Sequence, residues 1–275
     1  MSSTTSFWIC ETCGVEHAEA IDVCAICDDE RQWVPAGGQR WTTLQELARS
    51  GRRTKLAELE PSLYGITIEP HVGIGQQAHL VTTPQGSLLW DPTGYVDDDV
   101  VSRVREHGEV LAITSSHPHM FGVQVEWSRA LGGVPVLVSE ADAEWVARAD
   151  DAIETWRGSR EVTPGVTLHQ LGGHFTGSAV VHWAAGAGGN GVLLASDTIQ
   201  SNPDRKSVTF MRSYPNRIPL GPGVVDRLAE AAGAFEFDRL YDNFGRTIDS
   251  DARAVVRRSA DRYIAWTRGE FDGLS

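Results

Sequence analysis

From residue 64 onward, apolar residues fall in short runs separated by stretches of helical spacing. The runs at 66–69, 78–82 and 87–90 are bounded by glycine-rich turns and by Pro84-Gln85-Gly86, a pattern that predicts strands. Apolar positions across 97–106 recur at helical spacing, whereas Val-Leu-Ala-Ile-Thr at 110–114 reads as a buried strand. A helix at 123–131, a strand at 134–138 and a helix from 140 onward are predicted next. Strands at 166–170, 179–183 and 192–196 follow, with helices at 224–232 and 250–268. Strands come first, then strands and helices mixed, and the order repeats in a second half. That organisation predicts an α/β domain of sheets sandwiched by helices. Ahead of it, Thr43-Leu-Gln-Glu46 matches a capping box and predicts a helix from Thr43 into the fifties.

A chain of 275 residues, 41% of them hydrophobic, can bury one sizeable core and carry a small extra module. Its net charge of −13 opposes nucleic acid as a partner, because phosphate backbones are held by basic surfaces. Residues 1–6 are polar and no uncharged apolar run approaches the roughly 20 residues of a membrane span, so a cytoplasmic protein with no membrane partner is expected.

All four cysteines lie near the N-terminus, as Cys10-x2-Cys13 and Cys24-x2-Cys27. A disulfide framework would spread its cysteines over the fold; paired knuckles read instead as thiolate ligands of one tetrahedral metal. Residues 7–35 therefore form a candidate four-cysteine module, 36–63 a linker and helix, and 64–275 the main domain. Trp8, two residues before the first cysteine, and the ten-residue gap between knuckles resemble the Ran-binding-protein type of zinc finger, with His17 where that family has Asn. Cys13-Gly14 also resembles the short rubredoxin-like domain of rubrerythrins, from which Asp28 after Cys27 departs. The first resemblance implies zinc and the second iron; either way the module is zinc-ribbon-like. Glu11, Glu16, Glu19, Asp22, Asp28, Asp29 and Glu30 against Arg31 oppose RNA as its partner.

In the main domain, His117 and His119 follow the 110–114 strand, His174 sits in the glycine-rich Leu171–Ser178 loop, and Asp197 ends another apolar run. Three imidazoles and a carboxylate past strand ends suit zinc or non-haem iron with a position open to water. With Gly75-Gln-Gln-Ala-His-Leu-Val81 and Trp90-Asp-Pro-Thr-Gly94, these motifs resemble the metallo-β-lactamase superfamily over about residues 64–270. The resemblance implies an αββα sandwich, with His117, His119 and His174 as ligands of the first metal position, Asp197 as a shared carboxylate and base, and Asp91 supporting a ligand from behind. The family's Asp and second His of the first motif fall on Phe121 and Gly122, and its late His falls near Phe244. Residues peculiar to the second metal position are thus gone and those of the first remain, with Asp242 the one nearby carboxylate able to compensate.

A metal-dependent hydrolase with a mononuclear site is the leading expectation. A mononuclear iron dioxygenase acting on a thiol or persulfide is the alternative enzyme, and a binding or sensor protein with a degenerate centre is the non-catalytic one. Arg205, Lys206, Arg212 and Arg217 cluster after Asp197 on an otherwise acidic chain, which suggests a small anionic substrate held by Arg212 and Tyr214.

Overall fold

The computed structural model describes residues 7–274; the polar residues 1–6 lie outside the described residues. The chain divides into two compact units, one running to Val138 and including Ala143–Thr155, the other holding Ser139–Asp142 and everything from Trp156 onward.

The first unit is built on a seven-stranded sheet in the order Ile153–Trp156, Val136–Ser139, Val110–Thr114, Gly86–Trp90, Ala78–Thr83, Leu63–Glu69, Arg53–Glu60. Gly86–Trp90 pairs in parallel with Val110–Thr114, which pairs in parallel with Val136–Ser139. Parallel neighbours need crossovers, and helices Asp98–Glu106 and Gln124–Ala130 supply them. Both crossovers leave from the same end of the sheet, so Asp91 and the His117 loop are delivered to one edge. Strand Gly86–Trp90 is buried along its whole length, Ser87 included, as suits a strand in the middle of the sheet. Asp97 caps the first crossover helix by accepting from Val100 N at 3.0 Å.

The capping box at Thr43 forms as expected, with Thr43 Oγ1 accepting from Glu46 N, but the helix spans only Leu44–Arg49. Gly51, at φ +85°, turns the chain, and Arg53–Glu60 becomes an edge strand. Lys55, Leu56, Ala57 and Glu58 favour helix intrinsically; pairing with Leu63–Glu69 overrides that preference. The helix expected from 140 onward reduces to a 3-10 stretch at Glu140–Trp145. There Asp142 turns inward to accept from Gly177 N at 2.7 Å, and the chain re-enters the sheet at Ile153.

His79, on strand Ala78–Thr83, is fully buried, and burial depresses its pKa from 6.5 to about 4. Because the folded value is depressed, the stability His79 contributes is complete above pH 6.5 and is lost as pH falls through 4. The loss amounts to about 3 kcal/mol. Urea unfolding at pH 7.5 and 4.5 is expected to show a smaller acid-dependent loss in His79→Gln than in the parent. Equal losses would remove His79 as a source.

The second unit holds a six-stranded sheet in the order Ser159–Thr163, Val166–Gln170, Ala179–Trp183, Val192–Leu194, Arg239–Tyr241, Thr247–Ile248. Val192–Leu194 and Arg239–Tyr241 are parallel, and helix Pro222–Gly233 lies in their crossover. Val225, Leu228, Ala229 and Ala232 on that helix share one buried cluster with Val255, Val256, Ala260 and Ile264 of helix Ala252–Thr267. The spacing of those residues is the helical one read from sequence. Strand Val192–Leu194 stops two residues earlier than expected, because Ser196–Thr198 winds into a 3-10 turn that carries Asp197.

Candidate metal centres

Cys10 ends strand Trp8–Cys10, and the knuckle after it closes through Gly14 N donating to Cys10 O at 2.8 Å, with Gly14 at φ +81°. Cys24 precedes the short helix Ala25–Asp28, whose first turn returns Cys27 to the same point. The four thiols are free and buried, and their Sγ atoms all lie within 4.8 Å of one another. Cys10 Sγ is 3.6 Å from Cys27 Sγ, and Cys13 Sγ is 3.9 Å from Cys24 Sγ. A tetrahedron with metal–sulfur bonds of about 2.3 Å has edges of about 3.8 Å, so the spacing fits one ion.

Hydrogen bonding from Cys13 pulls the Cys10 thiol down to about 6, and Cys10 and Cys13 pull Cys24 down further. Cys13 and Cys27 are pushed up, chiefly by the hydrogen bond each makes to Cys10. Gln39 Nε2 donates to Cys10 Sγ at 3.1 Å while its Oε1 accepts from Cys24 N. His17, where the sequence departs from the zinc-finger pattern, brings Nε2 to 3.3 Å from Cys24 Sγ. Neither supporting contact carries a local sequence signal.

In the first unit, the chain leaves strand Val110–Thr114 through Ser115 and Ser116 into a 3-10 turn, Pro118–Met120. His117 and His119 are buried there, with ring centroids 5.0 Å apart at 77°. Ser116 Oγ lies 2.8 Å from His117 Nδ1, which leaves Nε2 as the outward nitrogen. Asp91 Oδ1 accepts from Ser116 N at 2.5 Å, and its own N–H donates to Thr114 O. It holds a left-handed φ of +56° to do so.

Gly122 explains the missing ligand after the histidines. Its φ is +53°, and a Cβ there would fall 2.7 Å from Thr93 O and nearer still to Pro92 O. Phe121, at the other altered position, is buried in the cluster that also contains Ile9, Val15 and the four cysteines. Neither position can present a donor.

In the second unit, His174 lies in a loop shaped by Gly172 and Gly173, both at positive φ. A Cβ at Gly173 would come within 2.7 Å of Leu228 Cδ1. His174 Nδ1 is 3.0 Å from Met211 O; a carbonyl only accepts, so Nδ1 carries the proton and Nε2 keeps its lone pair. Ser196, at φ +48°, aims Asp197, and Gln200 Nε2 donates to Asp197 Oδ1 at 3.1 Å. Gln200 and Asp142, which ties down the His174 loop, were not legible in the sequence, because neither belongs to a motif.

Tyr214 OH donates to Asp197 O at 3.1 Å, with Thr209 O at 3.4 Å. Burial first, and then the charges of Asp197 and Asp242, raise its pKa well above 10. Arg212 is half-buried beside it in the chain, whereas Arg205 reaches Asp249 at 3.0 Å and Arg217 is exposed. Asp242 Oδ1 accepts from Phe244 N and Arg246 N, pinning its own turn; burial raises its carboxyl.

His117 and His119 each offer one buried ligand atom in the first unit, and His174 and Asp197 each offer one in the second. Three buried imidazoles, one of fixed tautomer, and one carboxylate match the donors that zinc or iron takes. Asp242 belongs to neither of the two donor groups found among the described residues.

No protein-family model matches the chain. Solved structures resemble it at low identity. DIM-1 metallo-β-lactamase superposes with a TM-score of 0.58 at 12% identity, covering 77% of this chain and 97% of its own. A metallo-β-lactamase from Hirschia baltica gives 0.55 at 16% identity, covering 76% and 97%. A B3 metallo-β-lactamase with an active-site glutamic acid gives 0.54 at 17%, covering 88% and 98%. These likenesses establish the expected α/β fold class. "Uncharacterized protein YmaE" of Bacillus subtilis (strain 168) is 42% identical over 263 residues, 94% of this chain and 96% of its own. The chain belongs to the family of YmaE and has the metallo-β-lactamase fold.

Proposed function

We propose that the protein is a metal-dependent hydrolase with a mononuclear site formed by His117, His119, His174 and Asp197. One observation carries this reading: each donor of the first metal position is kept and buried in its own unit, while Gly122 has no room for the side chain that a second metal would need. A metal held by these residues supplies Lewis acidity and lowers the pKa of bound water. The chain's own residues orient and exclude. His174 presents Nε2 because Met211 O holds the proton on Nδ1; Ser116 and Asp91 fix His117; Gln200 fixes Asp197, the base in this reading. Tyr214 positions the Asp197 backbone, and Arg212 remains the residue offered to a small anionic substrate. The cysteine group holds a structural zinc. Among the described residues, no helix is long and apolar enough to cross a membrane, and the cytoplasm is the compartment this reading assigns.

Metal content tests it. Elemental mass spectrometry of the full chain is expected to find two zinc equivalents, and of the His117→Ala/His174→Ala variant one. A single equivalent in both proteins would sink the centre. Iron as the lost metal would replace hydrolysis with the thiol or persulfide dioxygenase. Turnover is then sought on lactam, thioester, ester and phosphodiester panels, and its loss in the double variant is expected to exceed about a thousandfold.

A further inference from the structure

We propose that the four-cysteine module is the clamp of the histidine loop, so that the metal it holds fixes His117 and His119 through the positioning residue Glu16. The inference rests on the mononuclear reading of the histidine site and adds to it a control element within the first unit.

The contacts form a continuous path. Glu16 lies on the two-residue strand that pairs with Trp8–Cys10, directly beside the first knuckle. Its backbone N–H donates to Gly122 O at 3.0 Å, and its Oε1 accepts from Val125 N at 2.5 Å. Glu16 therefore grips the chain on both sides of Val123, just past the histidine turn. That turn is short and closed: Met120 N donates to His117 O and Phe121 N to Pro118 O. A displacement at Gly122 is carried to His119 across two buried side chains, Met120 and Phe121.

The knuckle also presses on the backbone near Asp91. A Cβ at Gly94 would fall 2.8 Å from Gly14 O, and one at Gly73 would fall 2.5 Å from Cys13 C. Thr93 O accepts from Val123 N at 3.1 Å and Trp127 Nε1 at 3.3 Å, which ties the two contact regions together. The positions that would otherwise serve a second metal have become the seat of the module.

The module's own framework is slight. Its regular structure is strands of two and three residues and one four-residue helix. So small a segment draws its folding free energy from the metal. Removing that ion releases Glu16 and loosens a site that no cysteine touches, and by linkage the histidine metal strengthens the module in return.

Cobalt(II) titration of the metal-free full chain separates the two sites, since thiolate charge-transfer absorption reports the cysteines and ligand-field bands report the histidines. Hydrogen exchange at residues 117–125 is followed in parallel. In the parent, filling the cysteine site is expected to slow exchange at Met120, Phe121, Val123 and Val125. Glu16→Ala is expected to leave cysteine-site loading intact while weakening cobalt at the histidines about tenfold, with Glu16→Gln intermediate. Unchanged histidine-site affinity and unchanged exchange in Glu16→Ala would overturn the clamp. Should Glu16→Ala fail to fold, exchange in the parent with and without cysteine-bound cobalt decides. No slowing at those four amides would overturn the clamp, and slowing would support it. If the parent takes no cobalt at its histidines, the mononuclear reading falls, whereas protection of 117–125 on filling the cysteine site still tests the clamp.

Discussion

Gly122→Ala is expected to destabilise the protein by on the order of 4 kcal/mol, and Gly122→His by at least as much, without adding a metal. Two effects add. The residue holds φ +53°, which an L side chain adopts at a cost of about 1–2 kcal/mol. The new Cβ would also collide with Pro92 O and Thr93 O. These are backbone atoms, and they are pinned. Gln76 Nε2 donates to Pro92 O at 3.3 Å, while Val123 N and Trp127 Nε1 hold Thr93 O. No flexible chain end can move aside to relieve the contact. Urea unfolding of the metal-loaded full chain measures the effect. A loss below about 1 kcal/mol would mean that the loop has room for a side chain, and the argument for a single metal at the histidines would lose its support.

The proposed first-position donors could be named from the sequence because each sits in a short pattern bounded by its own strand. The apolar run at 110–114 is the observed strand Val110–Thr114, so His117 and His119 could be placed at its end. Val166–Gln170 and Ala179–Trp183 bracket the His174 loop with the expected bounds. Hydrophobic periodicity failed where tertiary pairing opposed local preference, as at Arg53–Glu60. It failed again where a single buried side chain redirected the backbone, as Asp142 does after residue 140. Apart from Asp91, the contacts that brace the proposed donors and the cysteine module were not legible. Glu16 meets Arg148 across 132 positions, and Gln39 meets Cys10 across 29; no local window contains both partners. Phe121 and Gly122 read as losses in the sequence. In the fold they are also a floor for the cysteine module: Phe121 shares a buried cluster with the cysteines, and Gly122 O accepts from Glu16 N.

That floor makes Arg148 the second large expectation. Arg148→Met should cost about 3–5 kcal/mol at pH 8 and distinctly less at pH 5.5. Arg148 Nη1 lies 2.5 Å from Glu16 Oε2, both side chains are buried, and Nη2 reaches Glu126 at 2.7 Å. Its guanidinium also lies 4.1 Å from the centre of the Phe7 ring. Burial raises Glu16 from 4.5 to about 7, against the lowering influence of Val125 N–H and Arg148. A carboxyl raised in the folded state contributes stability that is complete below 4.5 and is lost as pH climbs through 7. Without Arg148 one lowering influence disappears, the folded value rises further, and the loss continues above neutrality. At pH 5.5 Glu16 is mostly protonated in both proteins, so the variant then lacks only the Glu126 and Phe7 contacts. The gap between parent and variant should therefore widen with pH, and thermal unfolding at fixed zinc across pH 5.5 to 8 measures it. A gap of constant size would show that Glu16 is ionised throughout. The docking of the cysteine module would then depend on a permanent ion pair rather than on a carboxyl that its own burial keeps close to neutrality.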